Sequence, residues 1–197
     1  TEIYTLSLHD ALPISMTFTL AIGIPWGVWS GSTLKKGLDR LSTGVAFFFI
    51  SMPNFALAVV LYYVVGLRLG WLPLRFDAGD PFWQRIHQLV LPALCLALTG
   101  SAVYQRLLRT DMITTLQEDF ILMALAKCLS RRHILFRHAL RPSLFSGVTL
   151  FGINAGGILG GTLIVELIFG VPGIGSLFVE SIFREDFPVV LALVMIL

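Results

Sequence analysis

The side chains that could act in catalysis or bind a metal are few and lie far apart along the chain. They are four histidines and two cysteines, His9, His87, His133, His138, Cys95 and Cys128. The sequence contains no HExxH, GxSxG or CxxC pattern, and no long apolar run holds two carboxylates. We therefore expect no catalytic residue, no metal site and no bound cofactor, and we expect the protein not to be an enzyme. The two cysteines are interpreted as packing residues.

The elements that position these side chains are apolar. Hydrophobic residues make up 56% of the 197 residues, only 13% are charged, and the mean hydropathy is +0.83. Soluble domains carry charge on about a quarter of their residues. The composition therefore indicates an integral membrane protein built from helices.

Long runs without Asp, Glu, Lys or Arg show where the chain crosses the bilayer, because about 20 apolar residues span the hydrocarbon layer as a helix. The predicted crossings are 16–34, 44–67, 89–105 and 143–165, with the start of another at 187–197. Any single run could instead be a buried core helix, but four in series favour a polytopic transmembrane bundle. Because the last run is cut short, we expect the chain to be an N- and C-terminally truncated fragment.

The basic residues predict the orientation of these crossings. Ten of the 14 Lys and Arg residues lie in the loops 35–43 and 106–141. The positive-inside rule places these loops in the cytoplasm, and the loops 68–85 and 166–186 outside. Part of the basic cluster is also expected to contact anionic lipid headgroups.

Polar and small residues inside the crossings have two interpretations. Six polar residues could line a solute path or could bond the backbone or a neighbouring helix; they are Ser30, Ser51, Asn54, Thr99, Ser101 and Asn154. A row of glycines in the fourth crossing predicts close helix packing, which would also allow helices to slide or rock; it comprises Gly152, Gly156, Gly157, Gly160 and Gly161. Pro25, Pro53 and Pro92 are expected to kink or open their helices.

The segment 119–133 combines features that are unusual for a loop. Its first half is apolar on nearly every side, which is typical of a helix buried against a partner protein; a surface-lying amphipathic helix is the rival interpretation. Thr115 and Glu118 have the spacing of a capping box, and Asp119 adds negative charge at the helix start. We predict that this helix docks on another protein.

Residues 1–15 do not fit a crossing. They contain Glu2, His9 and Asp10 without a clear period. They resemble a translated sequencing adapter, so this segment is predicted to be a non-native or disordered leader, with a genuine short external segment as the alternative. The transmembrane domain is then residues 16–197.

Three stretches carry a resemblance to a known family. They are "DFILMALAKCLSRRHILFRHALRP" at 119–142, "GGILGGTLIVELIFGVPGIGSLFVESIFREDFPVV" at 156–190 and "LGWLP" at 69–73. The first is similar to the cytoplasmic EAA loop, and together they resemble the first permease subunit of bacterial ABC importers of the dipeptide, oligopeptide and nickel group. The resemblance implies the all-α fold of type I ABC importer permeases.

The resemblance also implies roles for individual residues. Coupling to a cytosolic ATPase is assigned to Asp119, Phe120, Met123, Ala124, Ala126, Lys127, Cys128, Leu129 and Arg137. Pro172, Gly173 and Gly175 form an external turn that is either part of a docking surface or gate or a plain connector. Cys128 stands where the family usually has glycine, at a turn where glycine supplies a positive φ. We therefore expect the turn to be strained or altered.

The implied function is translocation of small solutes, most simply di- or oligopeptides or nickel, across the bacterial plasma membrane. The implied partners are cytosolic ATP-binding subunits, a second homologous permease, an external solute-binding protein and the lipid bilayer, with no nucleic acid. The chain has no GxxxxGK[ST] sequence, so ATP would be hydrolysed by the partner. An ATP-independent channel or structural membrane subunit is the alternative, followed by a membrane enzyme.

Overall fold

The computed structural model describes residues 2–32, 36–77, 79–161 and 163–196, and for residues 2–12, 36, 155–161 and 196 it describes the backbone alone. The described residues form helices and contain no β-strand. The helices are α1 (Glu2–Ser32), α2 (Lys36–Ser51), α3 (Asn54–Leu61), α4 (Phe82–Thr115), α5 (Asp119–Ala126), α6 (Arg131–His133), α7 (Leu140–Gly161), α8 (Leu163–Phe169), α9 (Ile174–Phe183) and α10 (Phe187–Ile196). Two π-helical segments, Tyr62–Arg68 and Ile134–Ala139, follow α3 and α6 without a break. The prediction of an all-α chain is confirmed.

The predicted leader is part of a helix. α1 begins at Glu2 and continues without interruption to Ser32. Residues 2–15 are therefore helical in this structure, and their assignment as a non-native or disordered leader stays a prediction.

The predicted crossings correspond only partly to single helices. One described helix, Phe82–Thr115, is long and apolar enough to cross a bilayer, judged by length and composition. The number rises to three if Gly37–Ser51 with Asn54–Arg68, and Leu163–Phe169 with Ile174–Phe183, each count as one span despite their bends. α4 has 34 residues, about 51 Å at 1.5 Å per residue, so it extends well beyond a hydrocarbon layer about 30 Å thick.

Pro53 accounts for the break between helices α2 and α3. Pro53 has no N–H to donate and lies between the end of α2 at Ser51 and the start of α3 at Asn54, where its carbonyl accepts from the amides of Ala56 and Leu57. The prediction that Pro53 opens the helix is confirmed. Pro92, in contrast, lies inside the continuous helix α4.

The chain divides into two compact units. The first consists of Thr1–Phe18, Met52–Ala97 and Ala155–Leu197, and the second of Thr19–Ser51 and Leu98–Asn154. In the first unit, the rings of Tyr62 and Phe169 pack with their centroids 5.9 Å apart. Gly66 is buried there against Leu74 of the non-helical segment that precedes α4, and a side chain at position 66 would require the Leu74 side chain to move.

The second unit has an apolar core that collects residues from α1, α4, α5 and the segment after α6. The core residues are Val28, Leu108, Met112, Ile121, Ala124, Ile134 and Ala139. Leu129 and Leu116 pack against this core from its edge. The loop region 106–141 is thus folded onto the helices of its own unit.

Glycines on α1 allow a close contact that the sequence analysis missed. Gly23, Gly27 and Gly31 are four residues apart, and a Cβ built on each would lie 2.8–2.9 Å from the Cβ of Tyr104, Leu108 and Met112 of α4, respectively. The backbones approach so closely because these three positions carry no side chain. The spacing "GIPWGVWSG" was visible in the sequence.

Candidate functional site

The candidate site is the segment 119–129, which contains α5 and its C-terminal turn. The N-terminus of α5 differs from the predicted capping box. Glu118, with an extended backbone, occupies the N-cap position, and no side chain caps the helix. Thr115 is still part of α4, and its hydroxyl lies 3.2 Å from that of Ser143. The capping-box prediction is therefore wrong, whereas Asp119 does occupy the first turn.

One side of α5 anchors it to the second unit. Ile121 and Ala124 are three residues apart and are 2% and 5% exposed in the apolar core. The spacing of three places both on the same helix face. Ala124 is therefore an anchor of the helix within its own chain, and its role in ATPase coupling stays a prediction.

The other sides of α5 leave large apolar side chains in the open. Leu122, Met123 and Leu125 are 60%, 62% and 54% exposed, and Phe120 is also exposed. We call Phe120, Leu122, Met123 and Leu125 the α5 apolar surface. Leu122 and Leu125 were not among the predicted coupling residues, although the apolar run that contains them was recognised.

Most of the remaining predicted coupling residues are also exposed. Asp119, Ala126, Lys127, Cys128 and Arg137 are exposed, and Leu129 is half-buried. The segment thus presents an apolar surface with an acidic residue at its start and a basic residue, Lys127, at its end. Contiguous exposed apolar residues rimmed by charges are typical of protein interfaces.

The C-terminus of α5 is closed by a Schellman motif. The Cys128 N–H donates to the Leu125 carbonyl at 2.9 Å, and the Leu129 N–H donates to the Ala124 carbonyl at 3.4 Å. Cys128 has a φ of 55°, in the left-handed region that this motif requires. The expectation that the turn needs a positive φ is confirmed, and Cys128 adopts it.

A half-buried ion pair holds α2 against α4 near this segment of the chain. Asp39 receives two hydrogen bonds of 2.6 Å from the Nε and Nη2 atoms of Arg109, and a third of 3.2 Å from the Ser30 hydroxyl. Both charged residues lie outside the predicted crossings. The hydrogen bonds from Arg109 are the main cause that lowers the pKa of the Asp39 carboxyl. The pair joins the predicted loops 35–43 and 106–141, consistent with their predicted placement on one side.

A second polar contact reaches the same end of α1. The Nη2 atom of Arg131 donates to the Ser32 carbonyl at 2.8 Å, at the last residue of α1. A helix C-terminus exposes carbonyls that carry partial negative charge, so a guanidinium is favourable there. The basic segment after α5 is therefore fixed to the end of α1.

Two of the candidate path-lining residues form hydrogen bonds with neighbouring helices. The Ser30 hydroxyl bonds Asp39, and the buried Ser101 hydroxyl donates to the Thr19 carbonyl at 3.3 Å. These contacts agree with the interpretation that such residues bond neighbouring helices. In the part of the chain that the structure describes, no group of three or more His, Cys, Asp or Glu residues is arranged to hold a metal.

The predicted external turn is a tightly packed connector between α8 and α9. Gly170, with a φ of 66°, ends α8, and the Val171 N–H donates to the Glu166 carbonyl at 3.0 Å. The buried carboxylate of Glu166 accepts from the Ser176 N–H at 2.9 Å and lies directly against Gly173. A carboxylate is favourable at the N-terminus of a helix.

These contacts bear on the three turn residues. Gly173 and Gly175 are buried, and Pro172 is half-buried. A Cβ at Gly175 would lie 2.5 Å from the Cα of Leu163, so the two helices meet closely there. This packing is that of a connector between two helices, and a role of the turn in docking or gating stays a prediction. Glu166, which organises the turn, was not singled out in the sequence because it was grouped with an external loop.

The glycine row of the fourth crossing lies at the edge of what the structure describes. A Cβ at Gly152 would meet nothing within 4 Å, so no described residue packs there. The surroundings of Gly156, Gly157, Gly160 and Gly161 lie outside the described residues. Their role in helix packing stays a prediction.

Comparison with known proteins decides the family. Residues 23–197 match the family described as "Binding-protein-dependent transport system inner membrane component". The chain belongs to this family. Its members have the helical fold of type I ABC permeases, and the predicted family resemblance is confirmed.

Individual relatives support the same conclusion. The chain is 36% identical over 187 residues to the oligopeptide transport system permease protein AppB of Bacillus subtilis (strain 168), covering 93% of this chain and 59% of that protein. It is 35% identical over 192 residues to the dipeptide transport system permease protein DppB of Lactococcus lactis subsp. cremoris (strain MG1363), covering 94% and 61%. It is 35% identical over 178 residues to the glutathione transport system permease protein GsiC of Escherichia coli (strain K12), covering 90% and 56%. The chain thus spans less than two thirds of the length of each of these relatives.

Proposed function

We propose that this chain is part of the permease subunit of an ATP-driven importer, and that α5 is the element through which a cytosolic ATPase moves it. The observation that carries this proposal is the structure of α5. The helix is held in its own chain by Ile121 and Ala124, yet it presents four exposed apolar side chains. Such a helix can transmit a displacement because it is fixed on one side and open to a partner on the other.

The connection from α5 to the rest of the second unit supports a mechanical role. Ala124 and Ile121 pack in the same core as Leu108 and Met112 of α4 and Val28 of α1. Movement of α5 would therefore be passed directly to these two long helices. Rigid displacement of packed helices is a common way to switch a protein between two states. In this proposal the switched states are inward-open and outward-open forms of a transport path.

The remaining partners and the substrate are inferred from the family. The family name specifies binding-protein-dependent transport. We infer an external solute-binding protein that contacts the segments 68–85 and 166–186, a second homologous permease, and placement as a multi-pass protein in the bacterial plasma membrane. The relatives are named for oligopeptide, dipeptide and glutathione transport. Peptides of a few residues are therefore the proposed substrates, ahead of nickel.

A pull-down with the ATPase subunits tests the proposal. Met123→Asp places a charge on the α5 apolar surface and should reduce recovery of the ATPase at least tenfold, since an unpaired charge is costly in an interface. Leu41→Asp is the matched control, because Leu41 is 66% exposed and lies in the other predicted cytoplasmic loop. The control should leave ATPase recovery unchanged.

Two results would decide against the docking role. If Met123→Asp retains the ATPase as well as the unchanged protein does, the α5 apolar surface is not the contact. If no ATPase is recovered with any form of the protein, the channel or structural-subunit alternative is favoured. Ala124→Asp is unsuitable for this test, because the buried charge would disrupt the core of the second unit and abolish docking indirectly.

A further inference from the structure

Two polar contacts join α7 to α4 at well-separated levels. The Ser143 hydroxyl lies 3.2 Å from that of Thr115, and the Asn154 side chain lies beside the buried hydroxyl of Tyr104. On each helix the two contact residues are 11 positions apart, about 16 Å at 1.5 Å per residue. Because the earlier residue of α4 contacts the later residue of α7, the two helices run antiparallel.

Asp111 and Gly147 lie at one level between these two contacts. Asp111 comes four residues before Thr115 on α4, and Gly147 comes four residues after Ser143 on α7. Residues four apart share a helix face, so both positions are on the sides through which the helices contact each other. The two positions therefore face each other across the helix pair.

The helices leave an opening at this level. A Cβ built on Gly147 would meet nothing within 4 Å. Ser143 on the same helix face is 2% exposed, whereas Gly147 and Leu150, the next residues on that face, are half-buried. The face is thus closed at Ser143 and open beyond it. We call the space between Asp111 and Gly147 the α4–α7 cleft.

Asp111 carries a charge that nothing in the described part of the chain neutralises. Its Oδ2 atom is shielded from solvent and has no hydrogen-bond partner, and no ion pair joins its side chain to another described residue. Arg109, two residues before it, donates to Asp39 instead. A shielded carboxylate oxygen without a donor is unfavourable, so a hydrogen-bond donor in the cleft would stabilise it.

Two properties of the cleft restrict the ligand. A carboxylate only accepts hydrogen bonds, so it selects a donor and favours a positively charged one. A divalent metal ion requires several ligands, and in the part of the chain that the structure describes no group of three or more His, Cys, Asp or Glu residues is arranged to hold one. An organic ammonium group needs a single carboxylate and room beside it, which the missing side chain of Gly147 provides.

We propose that the α4–α7 cleft binds the ammonium group of a peptide during its passage, with Asp111 as the residue that recognises it. This inference rests on the proposed function, in which peptides of a few residues are the substrates. Peptides with a free N-terminus carry an ammonium group. Asp111 lies four residues before the end of α4 at Thr115, at the predicted cytoplasmic end of the helix, so the contact is made on the side where the peptide leaves.

The test compares two peptides that differ only in this charge, alanyl-alanine amide and its N-acetylated form. The full-length protein, with the subunits that copurify with it, is placed in nanodiscs of phosphatidylcholine, a lipid without net charge. Saturation-transfer NMR titrations without nucleotide or binding protein give the Kd of each peptide. The wild type should bind the charged peptide about tenfold more tightly, because a hydrogen bond to a charged group contributes about that factor.

Variants at Asp111 assign this preference to its carboxylate. Asp111→Asn removes the charge but keeps the shape of the side chain, and it should abolish the preference for the charged peptide. Asp111→Glu keeps the charge and should keep most of the preference. Glu118→Gln removes an exposed carboxylate from the same predicted side of the membrane and should leave the preference unchanged.

Variants on α7 locate the site. Gly147→Leu fills the cleft and should weaken binding of the charged peptide. Gly152→Leu is the matched control, because a Cβ at position 152 would also meet nothing within 4 Å. Gly152 lies about 140° around α7 from Gly147, at 3.6 residues per turn, so a side chain there points away from the cleft. Equal effects of the two substitutions would contradict the cleft as the binding site.

The remaining outcomes separate this proposal from the function on which it rests. Equal affinity of the wild type for both peptides, or an unchanged preference in Asp111→Asn, would overturn the proposal and leave the peptide assignment intact. An equal loss in Glu118→Gln would reduce the effect to total charge and contradict a site. Loss of a membrane subunit from Asp111→Asn would overturn the proposal by showing that Asp111 pairs across a subunit interface. Binding of neither peptide by any form would overturn the site together with the peptide assignment.

Discussion

Replacing Cys128 by glycine should stabilise the protein, because the residue closes a Schellman motif that glycine adopts without strain. Among the described residues, three helices end in this way. The residue with positive φ is Cys128 after α5, Gly170 after α8 and Glu185 after α9, with φ values of 55°, 66° and 58°. In each turn the following N–H donates to the carbonyl five residues earlier, at 3.4, 3.0 and 2.9 Å. The chain therefore contains the same turn with and without glycine.

The magnitude follows from two opposing terms. A residue with a Cβ in the left-handed region costs about 1–2 kcal/mol. Glycine lowers stability by about 0.4–1 kcal/mol through the greater freedom of the unfolded chain. Cys128→Gly should therefore raise the free energy of unfolding by about 1 kcal/mol. For a chain of this length, that difference raises Tm by about 2–4 °C.

Thermal unfolding of the detergent-solubilised protein, with hydrogen exchange of the 119–129 amides, measures the effect. Cys128→Ala is the control, since it removes the thiol but keeps the strained backbone, and it should not raise Tm. Gly170→Ala should lower Tm by introducing the same strain at α8. The reasoning is refuted if Cys128→Gly is no more stable than Cys128→Ala, or if exchange of the Leu129 amide is faster in the glycine variant.

Two further substitutions test the packing of the second unit. Gly27→Leu should lower the free energy of unfolding by at least about 1–3 kcal/mol, because a Cβ at position 27 would lie 2.8 Å from the Cβ of Leu108. Gly152→Leu is the control and should be nearly neutral within this chain, since a Cβ there would meet nothing within 4 Å. Equal loss of folded yield in the two variants would contradict the α1–α4 contact. Asp39→Asn should lower the free energy of unfolding by about 1–3 kcal/mol at pH 7 by weakening the bonds from Arg109. The pKa of Asp39 in the folded protein is lowered from 3.8, so the stabilisation by its carboxylate is present above about pH 3.8. This stabilisation is lost as the pH falls through the pKa of Asp39 in the folded protein. Denaturation curves of the wild type and Asp39→Asn should therefore converge in acid. A stability difference between wild type and Asp39→Asn that stays the same at all pH values would show that the Asp39–Arg109 pair does not cause it.

The features that the sequence predicted best are those that depend on the local residue types. The absence of charge over long runs predicted helices, and the missing N–H of Pro53 predicted the interruption between α2 and α3. The motif strings at 119–142 and 156–190 predicted the family. These features depend on local chemistry, which a single sequence records.

Features that depend on tertiary contacts were harder to predict. The run from Phe120 to Ala126 is apolar on nearly every side, so the sequence has no amphipathic period that identifies the buried face. Ile121 and Ala124 are buried because they pack in the core of the second unit. The capping box failed because the Thr115 hydroxyl lies against that of Ser143, a residue far along the chain, while α4 continues through Thr115. The role of Glu166 likewise depends on how α8 and α9 meet.

The most direct test of the central claim is site-specific cross-linking of the α5 apolar surface to the ATPase. In a Cys128→Ala background, which removes the native exposed thiol, Met123→Cys and Leu41→Cys are each placed in the length-restored complex and treated with a short bifunctional thiol–amine reagent. We expect an adduct with the ATPase subunit from position 123, at a yield that changes when ATP is added, and none from position 41. An adduct from position 41 with none from position 123 would contradict the account.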